Sequence, residues 1–498
     1  MRILAAVHGY PPEFAGGTER VVQAEARALA ALGHEVTVVA GTLCNDGRVE
    51  EALDRDPASG ARVRVIRLSR KDLHADHWQK SLSAAVSEAF RAIVRDVKPD
   101  VLHVHHWLRL SRELVAIAAG ERVPAVVTLH DAWTTCLIAF RLKPDTLQIC
   151  EAALGAMPCL GCAQKVPPRT PFVPIEAQFL ALHEHKRDLL RELTLARALL
   201  APSRAHGEAL ARFLGDDARG LAFAVHGSTA ALPLRDETAA LPLRDEAAVP
   251  PHDGTAARPP RDSTENRRRL DSPERLGRLV LGSWGHLSRL KGSDLLLEAL
   301  HDERLRGRVE LHCAGAVVDP VLERRLPELR AGLDVRFHGP YRAEELGSHA
   351  VSRVHAFVSA ARVRESYGLV LDEARALGLA IVLPRHPAFE ERTDEARGTL
   401  FFEPGDVRSL ADALTRLATE PGLADALAAR TPPVARGPLD AARELVSIYA
   451  VAIAAGAPAF AAPSDAWFAT RMRAFAESEW DRSLSAQSRA DLGFDAVN

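Results

Sequence analysis

Two carboxylates eight residues apart, Glu365 and Glu373, bracket Gly368 in the run Glu365-Ser-Tyr-Gly-Leu-Val-Leu-Asp-Glu373. The glycine opens a stretch of helical period, so the first carboxylate falls in the loop before a helix and the second in its first turns. Amides at Tyr367, Gly368 and Leu369, with Ser366 in the same turn, would point at an anion, and the helix dipole adds to that attraction. Gly368 lets a ligand come close to the backbone. A capped surface helix with two solvated carboxylates would use the same residues. The setting argues for chemistry, because the run follows the strand-like RVHAFVSA and precedes the strand-like AIVLP. That places the loop at a strand end.

A second signal is Trp284-Gly-His-Leu-Ser-Arg-Leu-Lys291-Gly292, between the strand-like LVLGSW and the helix-like SDLLLEAL. A positive residue beside a glycine turn, Lys291, suits a diphosphate, which lysine neutralises as a point charge. A surface lysine in an ordinary βα turn is the plainer reading. Gly16-Gly17, followed by Glu19, would let phosphate or sugar approach the backbone of the first loop. The pair is not G-x-G-x-x-G, which leaves a nicotinamide dehydrogenase little footing. His130-Asp131 closes one strand, and His103, His105 and His106 close the strand before it. A histidine there can donate to substrate hydroxyls or move a proton, although a lone histidine is more often structural. Asp54-Arg55-Asp56 has the spacing of a metal-binding DxD, but no strand-like segment delivers it, and it reads as surface charge in a polar loop.

Four of the six cysteines are Cys136, Cys150, Cys159 and Cys162, and the last two form a CxxC. Such a pair can grip one tetrahedral ion, and a reducing cytosol favours metal over disulfides. The expectation is a closed, structural zinc site; four unrelated thiols or an iron–sulfur cluster are the alternatives. The residues between them have no helical or strand period of their own, so something must order them.

These residues sit on alternating strands and helices. Arg2–Val7, Glu35–Ala40, Arg62–Leu68, Asp100–His105 and Pro124–His130 read as strands. Glu19–Leu32, Trp78–Val97, Ser111–Ala119 and Glu176–Thr194 read as helices, the first with Val21, Val22, Leu29 and Leu32 along one side. A second alternating block begins near Leu276 and includes RAEELGSH as a helix. Residues 228–272 contain the tandem AALPLRDET/AALPLRDEA and few large apolar side chains, and read as a flexible insertion. The expected organisation is an α/β protein with two Rossmann-like, doubly wound parallel-sheet domains facing across a cleft, over 1–227 and 273–435. Residues 436–498 would form a helical segment packing back on the first domain.

The chain has 498 residues, 47% of them hydrophobic, and a formal net charge of -3. That length suggests several domains, and the charge gives no support for a nucleic-acid partner. The N-terminal apolar run is too short for a secretory signal, and Tyr449–Pro463 is too short and too broken to span a bilayer. A cytoplasmic protein is expected. Arg267-Arg268-Arg269 could touch the inner face of an anionic membrane, though such runs are more often merely solvated.

These motifs, in order, are similar to the retaining family 4 glycosyltransferases of the two-domain GT-B type. PPEFAGGTERVV…LAALGHEVTVVAG resembles the family's opening, and LHD at 129–131 and LLAPS at 199–203 match later landmarks. WGHLSRLKG, FHGPY, ESYGLVLDEA and FFEPGDVRSLADAL follow the pattern of its second domain. The resemblance implies transfer of a sugar from a nucleotide-diphosphate sugar to a glycan, lipid-linked or small-molecule acceptor, as in polysaccharide biosynthesis. It implies Glu365 on donor-sugar hydroxyls, Glu373 on the ribose, and Lys291 with the Tyr367–Leu369 amides on the diphosphate. Gly16, Gly17 and His130 would approach the donor, and no metal would be needed for catalysis. Where the family usually has arginine this chain has His286, with Arg289 as the candidate substitute. His226 stands for a common asparagine, and Arg385-His386-Pro387-Ala388-Phe389 stands where many members carry a glycine pair. An inactive GT-B binding protein, an epimerase and a phosphorylase are the rival readings.

Overall fold

The computed structural model describes residues 1–44, 46–71, 78, 81–163, 165, 175–232, 278–342 and 345–460. Most of the expected insertion, including the Arg267–Arg269 run, and the chain beyond 460 lie outside them. Two compact units are formed. One takes in the described residues of Met1–Ala231, Val363–Leu369 and those from Ala435 on; the other takes in the described residues of Leu232–Arg362 and Val370–Val434.

In the first unit, β1 (Arg2–Val7), β2 (Glu35–Gly41), β3 (Val49–Arg55), β4 (Arg62–Leu68), β5 (Val101–Val104), β6 (Ala125–Thr128), β7 (Ala198–Ala201) and β8 (Phe223–Val225) form one sheet. Its order is β3-β4-β2-β1-β5-β6-β7-β8. Only β3 runs antiparallel to its neighbour. The helices are α1 (Gly17–Ala31), α2 (Ala84–Val97), α3 (Leu114–Gly120), α4 (Ala156–Ala163), α5 (Ile175–Leu195) and α6 (Arg204–Leu214). Alternate residues of the strands enter different cores, as the pleat requires. Leu4, Ala6 and Val39 pack with Phe90, Leu114 and Leu189. Ile3, Ala5 and Val38 pack on the other face with Val22 and Leu29 of α1 and with Leu445 and Tyr449 of the helix Pro438–Ala455.

In the second unit, β9 (Leu279–Trp284), β10 (Val309–Ala314), β11 (Val335–Phe337), β12 (Ala356–Val358), β13 (Ala380–Pro384) and β14 (Thr399–Phe402) lie in the order β11-β10-β9-β12-β13-β14. All adjacent pairs are parallel. Its helices are α7 (Ser293–Leu300), α8 (Pro320–Leu329), α9 (Leu369–Ala376), α10 (Pro387–Glu390), α11 (Val407–Thr419) and α12 (Leu423–Arg430). Leu281 faces Leu295 and Leu414, while Val280 faces Leu371 and Ala374. The doubly wound α/β class expected from the sequence is therefore present in both units.

Three local expectations need correction. The Asp54-Arg55-Asp56 stretch is delivered by a strand, because β3 pairs with β4 through Arg55. Asp54 accepts from Tyr10 Oη at 2.8 Å and from the Arg27 guanidinium at 2.7 and 3.0 Å, so it is a structural anion. The strand lacks an apolar alternation because it is an edge, exposed nearly throughout. The helix expected from Trp78 begins at Ala84, where the Ser83 side chain accepts from the Val86 amide. The described residues of RAEELGSH form turns leading to a 3-10 turn at Ala350–Ser352.

Gly292 fixes the loop between β9 and α7. It has φ +70°, and a Cβ there would lie 1.8 Å from the Ala360 carbonyl oxygen. Gly332 has φ +75° with open space around it. Gly332→Ala should cost only the left-handed backbone penalty, about 1–2 kcal/mol. Gly292→Ala carries the same penalty plus a backbone collision, and thermal unfolding should show the clearly larger loss for Gly292→Ala.

Candidate functional site

In each sheet the chain reverses its direction of winding beside the first strand. The reversals fall between β1 and β5 and between β9 and β12. At such switch points the loops leaving the carboxyl ends part, and a ligand can enter.

In the first unit, the loop after β1 leads to Gly16, the N-cap of α1, and Gly17, its first residue. A Cβ on Gly16 would lie 2.6 Å from Glu19 Oε2. That closeness lets the Glu19 carboxylate fold back to His8 Nε2 at 3.0 Å. Burial opposes the charge on Glu19, but the His8 hydrogen bond and charge prevail and lower its pKa. The ends of β5 and β6 bring up a cluster of imidazoles. His8 and His106 rings lie 4.4 Å apart, and His106 Nε2 is 3.3 Å from Asp131 Oδ2. His130 Nε2 lies 3.0 Å from His105 Nδ1. Burial is the main cause that takes the His130 imidazole down to about 3, opposed by Asp131, so His130 is neutral at ordinary pH. Burial works against ionisation of Asp131 too, yet His106, the Trp133 amide and His8 hold its carboxyl at about 2.

The Glu365 loop joins this unit through Ser203, the N-cap of α6. Its hydroxyl accepts from the His206 amide at 3.1 Å and donates to the Ser366 carbonyl at 2.6 Å. The His206 ring in turn lies with Nε2 3.2 Å from the Asp131 carbonyl. The structure thus connects the loop of Glu365, Ser366 and Tyr367 to the His130-Asp131 strand end. Gly368 has φ +78° immediately before α9, which begins at Leu369. The expected glycine-opened helix is present at that point.

In the second unit, Trp284 at the end of β9 donates its indole N–H to Glu373 Oε2 at 2.9 Å. Glu373, on α9, is buried and fixed in direction by that bond. His286 and Lys291 are both exposed on the loop between β9 and α7. Arg289 is committed elsewhere: its Nε lies 2.7 Å from Asp319 Oδ2, and its amide donates to the same oxygen. The Arg385–Phe389 stretch contains α10, with Phe389 buried and Arg385 paired to Glu390 and Glu403.

The four cysteines are reduced and part-buried. Cys159 and Cys162 share α4. Arg141 donates to the carbonyls of Thr135, at 2.7 Å, and Cys150, at 3.1 Å, binding the first two cysteine segments together. Leu137 and Leu154 form a small core with Trp78 and Leu182, against which Cys159 and Leu160 pack. Arg141 and these apolar contacts supply much of the order that the sequence left unexplained. No three of the sulfurs lie within 4.8 Å of one another. Among the described residues the donors that do are Glu25, His103 and His105. Both His103 nitrogens, however, are engaged, with Tyr449 Oη at 2.6 Å and Thr128 Oγ1 at 2.7 Å, which leaves no lone pair for an ion.

Glu25, buried beside His105, is the residue that sequence reasoning missed. The signal was its position: on α1 it falls three residues after Val22 and four before Leu29, inside the apolar stripe.

Two family models match the chain: Glycosyltransferase Family 4 over residues 15–220 and Glycosyl transferases group 1 over residues 278–420. Glycogen synthase of Mycobacterium tuberculosis is 31% identical over 142 residues, 26% of this chain and 33% of that protein. The chain thus matches about a third of the length of that curated relative. Among solved structures, sucrose-phosphate synthase of Thermosynechococcus elongatus superposes with a TM-score of 0.56 at 17% identity, over 91% of this chain and 97% of that one. The catalytic domain of starch synthase IV from Arabidopsis thaliana, solved with ADP and acarbose, gives 0.60 at 14% identity, over 91% and 99%. An α,α-trehalose-phosphate synthase (UDP-forming) from Burkholderia xenovorans gives 0.54 at 13%, over 90% and 100%. These likenesses show the fold. No helix among the described residues is long and apolar enough to cross a membrane.

The buried imidazoles make the folded state sensitive to acid. His130 and His185 are both lowered to about 3, chiefly by burial. The unfolded chain binds their protons near pH 6.5, whereas the folded chain refuses them down to about 3. Their contribution is intact above pH 6.5 and is lost as pH falls, by up to about 1.4 kcal/mol per unit for each. Melting temperature should drop steeply between pH 7 and pH 5, and less steeply in a folded His130→Gln variant.

Proposed function

Because the chain belongs to the family 4 glycosyltransferases, we propose that it moves a sugar from a nucleoside-diphosphate sugar to an acceptor with retention at the anomeric carbon. The observation that carries this reading is the Glu365–Glu373 segment: a positive-φ glycine before α9, with Glu373 oriented by the Trp284 indole. Support for the donor class comes from the Arabidopsis starch synthase solved with ADP and from the UDP-forming trehalose-phosphate synthase.

In this reading Glu373 holds the ribose hydroxyls, because a buried, directed carboxylate accepts from a diol. Lys291, exposed on its loop, neutralises the diphosphate with the amides around Gly368, and His286 adds a donor. Glu365 accepts from donor-sugar hydroxyls, with Ser366 and Tyr367 in the same loop. Gly16 and Gly17 give the sugar room at the start of α1, and His130 stands beside the reacting carbon. The leaving diphosphate takes the acceptor's proton as the new bond forms, so no dedicated protein nucleophile or catalytic metal is needed. The acceptor is a glycan, a lipid-linked sugar or a small molecule.

A nucleotide-sugar panel read by thermal shift identifies the donor, since a ligand that binds the folded state raises its melting temperature. With that donor, Glu365→Gln should keep the wild-type melting temperature and lose about two to three powers of ten in transfer. Lys291→Ala should weaken nucleoside-diphosphate binding by about 1.5–3 kcal/mol. Donor binding without a glycosyl product would make the chain an idle binding protein, and an isomerised nucleotide sugar would make it an epimerase.

We also propose that Cys136, Cys150, Cys159 and Cys162 hold a structural zinc. Burial raises the Cys162 thiol, and charge on Cys150, Cys136 and Cys159 raises it further, as neighbouring thiols do. An ion would draw the sulfurs together and replace that repulsion. Protein purified without chelator should carry close to one zinc per chain, lost in the Cys159→Ser/Cys162→Ser double variant. Folded, metal-free protein with four reactive thiols would overturn the assignment.

A further inference from the structure

Behind His130 lies a row of buried polar groups that the proposed reaction does not use. His130 Nε2 faces His105 Nδ1 at 3.0 Å, and the two rings are stacked with 21° between their planes. The other nitrogen of His105, Nε2, lies 4.0 Å from Glu25 Oε2. That oxygen is buried and has no hydrogen-bond partner among the described residues. Beside it a cavity of about 10 Å³ is lined by Glu25, His105 and Tyr449 among apolar residues. A space of that size accommodates about one water, and three polar neighbours are enough to hold it. The second Glu25 oxygen faces His226 Nε2 at 3.4 Å, and His226 Nδ1 lies 3.2 Å from Glu444. Arg436 pairs with Glu444 at 2.5 Å.

Each neutral imidazole has one N–H and one lone pair. Between His130 and His105 only one of the two facing nitrogens carries the proton. If it were His105 Nδ1, the lone pair of His105 Nε2 would face the Glu25 carboxylate across 4.0 Å, two acceptors that repel in a poorly solvated interior. If His105 instead carries its proton on Nε2, the N–H dipole points its positive end at the Glu25 carboxylate, and that electrostatic preference needs no direct hydrogen bond. His105 Nδ1 is then an acceptor, and His130 must donate from Nε2. The remaining nitrogen of His130, Nδ1, is left with a lone pair. Among the described residues nothing hydrogen-bonds to that atom.

We propose that Glu25, acting through His105, fixes the tautomer of His130, so that His130 meets the sugar as a hydrogen-bond acceptor at Nδ1. The assignment rests on the reading of His130 as a neighbour of the reacting sugar. Glu25 and His105 are positioning residues, and touch neither donor nor acceptor. A substrate hydroxyl must then donate to His130, so a deoxy or O-methyl sugar at that hydroxyl is discriminated against. The arrangement also accounts for a carboxylate within the apolar stripe of α1. Its role is to orient a proton several groups away, as the buried carboxylate does in a catalytic triad.

Nitrogen-15 spectra of imidazole-labelled full-length protein read the tautomer directly, with His130 assigned by a His130→Gln variant. The wild type should show His130 protonated at Nε2 and bare at Nδ1. Glu25→Gln should shift His130 toward the other tautomer or a mixture, with nucleoside-diphosphate affinity unchanged. In the transfer assay Glu25→Gln should lower kcat on the order of tenfold or more, with the KM for donor little changed. A wild-type His130 carrying its proton on Nδ1 would overturn the proposal, even if Glu25→Gln failed to fold. An unchanged tautomer in folded Glu25→Gln would overturn it as well. Absence of transfer in the wild type with the tautomer control intact would fault the enzymatic reading and leave this one standing.

Discussion

Two parallel strands cannot be joined by a tight turn; the chain must cross back over a face of the sheet, and both faces become buried. This requirement organises both units. It sends α1 and the Pro438–Ala455 helix to one face of the first sheet and α2, α3 and α5 to the other. It also delivers the loops that follow the strands to one edge. In the first sheet Gly16, His106 and His130 follow strands at that edge, and in the second sheet Trp284 and the Glu365 loop stand at the corresponding ends of β9 and β12. Burial on both faces makes strands such as Arg2–Val7 and Ala380–Pro384 apolar nearly throughout, while His105, His106 and His130 lie where β5 and β6 end.

Those polar ends create a second demand. Histidines at the ends of β5 and β6 are nearly all buried, and a buried imidazole needs partners for both nitrogens. The first unit meets part of that demand with residues brought together from other elements. Tyr449 and Thr128 complete His103, Asp131 faces His106, and His130 faces His105. Similar completion occurs under α5, where Glu192 accepts from the Trp107 indole and the Val115 and Ala116 amides. Arg112 there pairs with Asp188 at 2.8 Å. Removing one partner from such a set strands the other in a dry interior, which is costlier than never having had the pair. The polar groups thus hold the candidate site to one geometry while the apolar layers supply most of the stability.

The same contrast decides what could be read in advance. Strands buried on both faces, such as Arg2–Val7 and Ala380–Pro384, announce themselves as apolar runs. Edge strand β3 does not, because nearly all of its side chains are exposed and only its backbone pairs. Glycines with a required conformation were legible as a class: Gly368 and Gly292 both have positive φ at the starts of helices. Arg289 was legible as a cation, but its commitment to Asp319, thirty residues on, was not.

Local sequence by itself determined the doubly wound α/β class, the two-block order, the glycine-opened helix between Glu365 and Glu373, and the histidines at strand ends. Each depends on residue type and near-neighbour spacing, which periodicity and turn chemistry encode. Only the tertiary structure decided which polar atoms meet. It turned the Trp284 indole to Glu373, used Ser203 to tie the Ser366 carbonyl to the His206 segment, and placed Glu25 against His105. Hydrogen bonds and ion pairs act over a few ångströms, and chain separation carries no record of them until the sheets have formed.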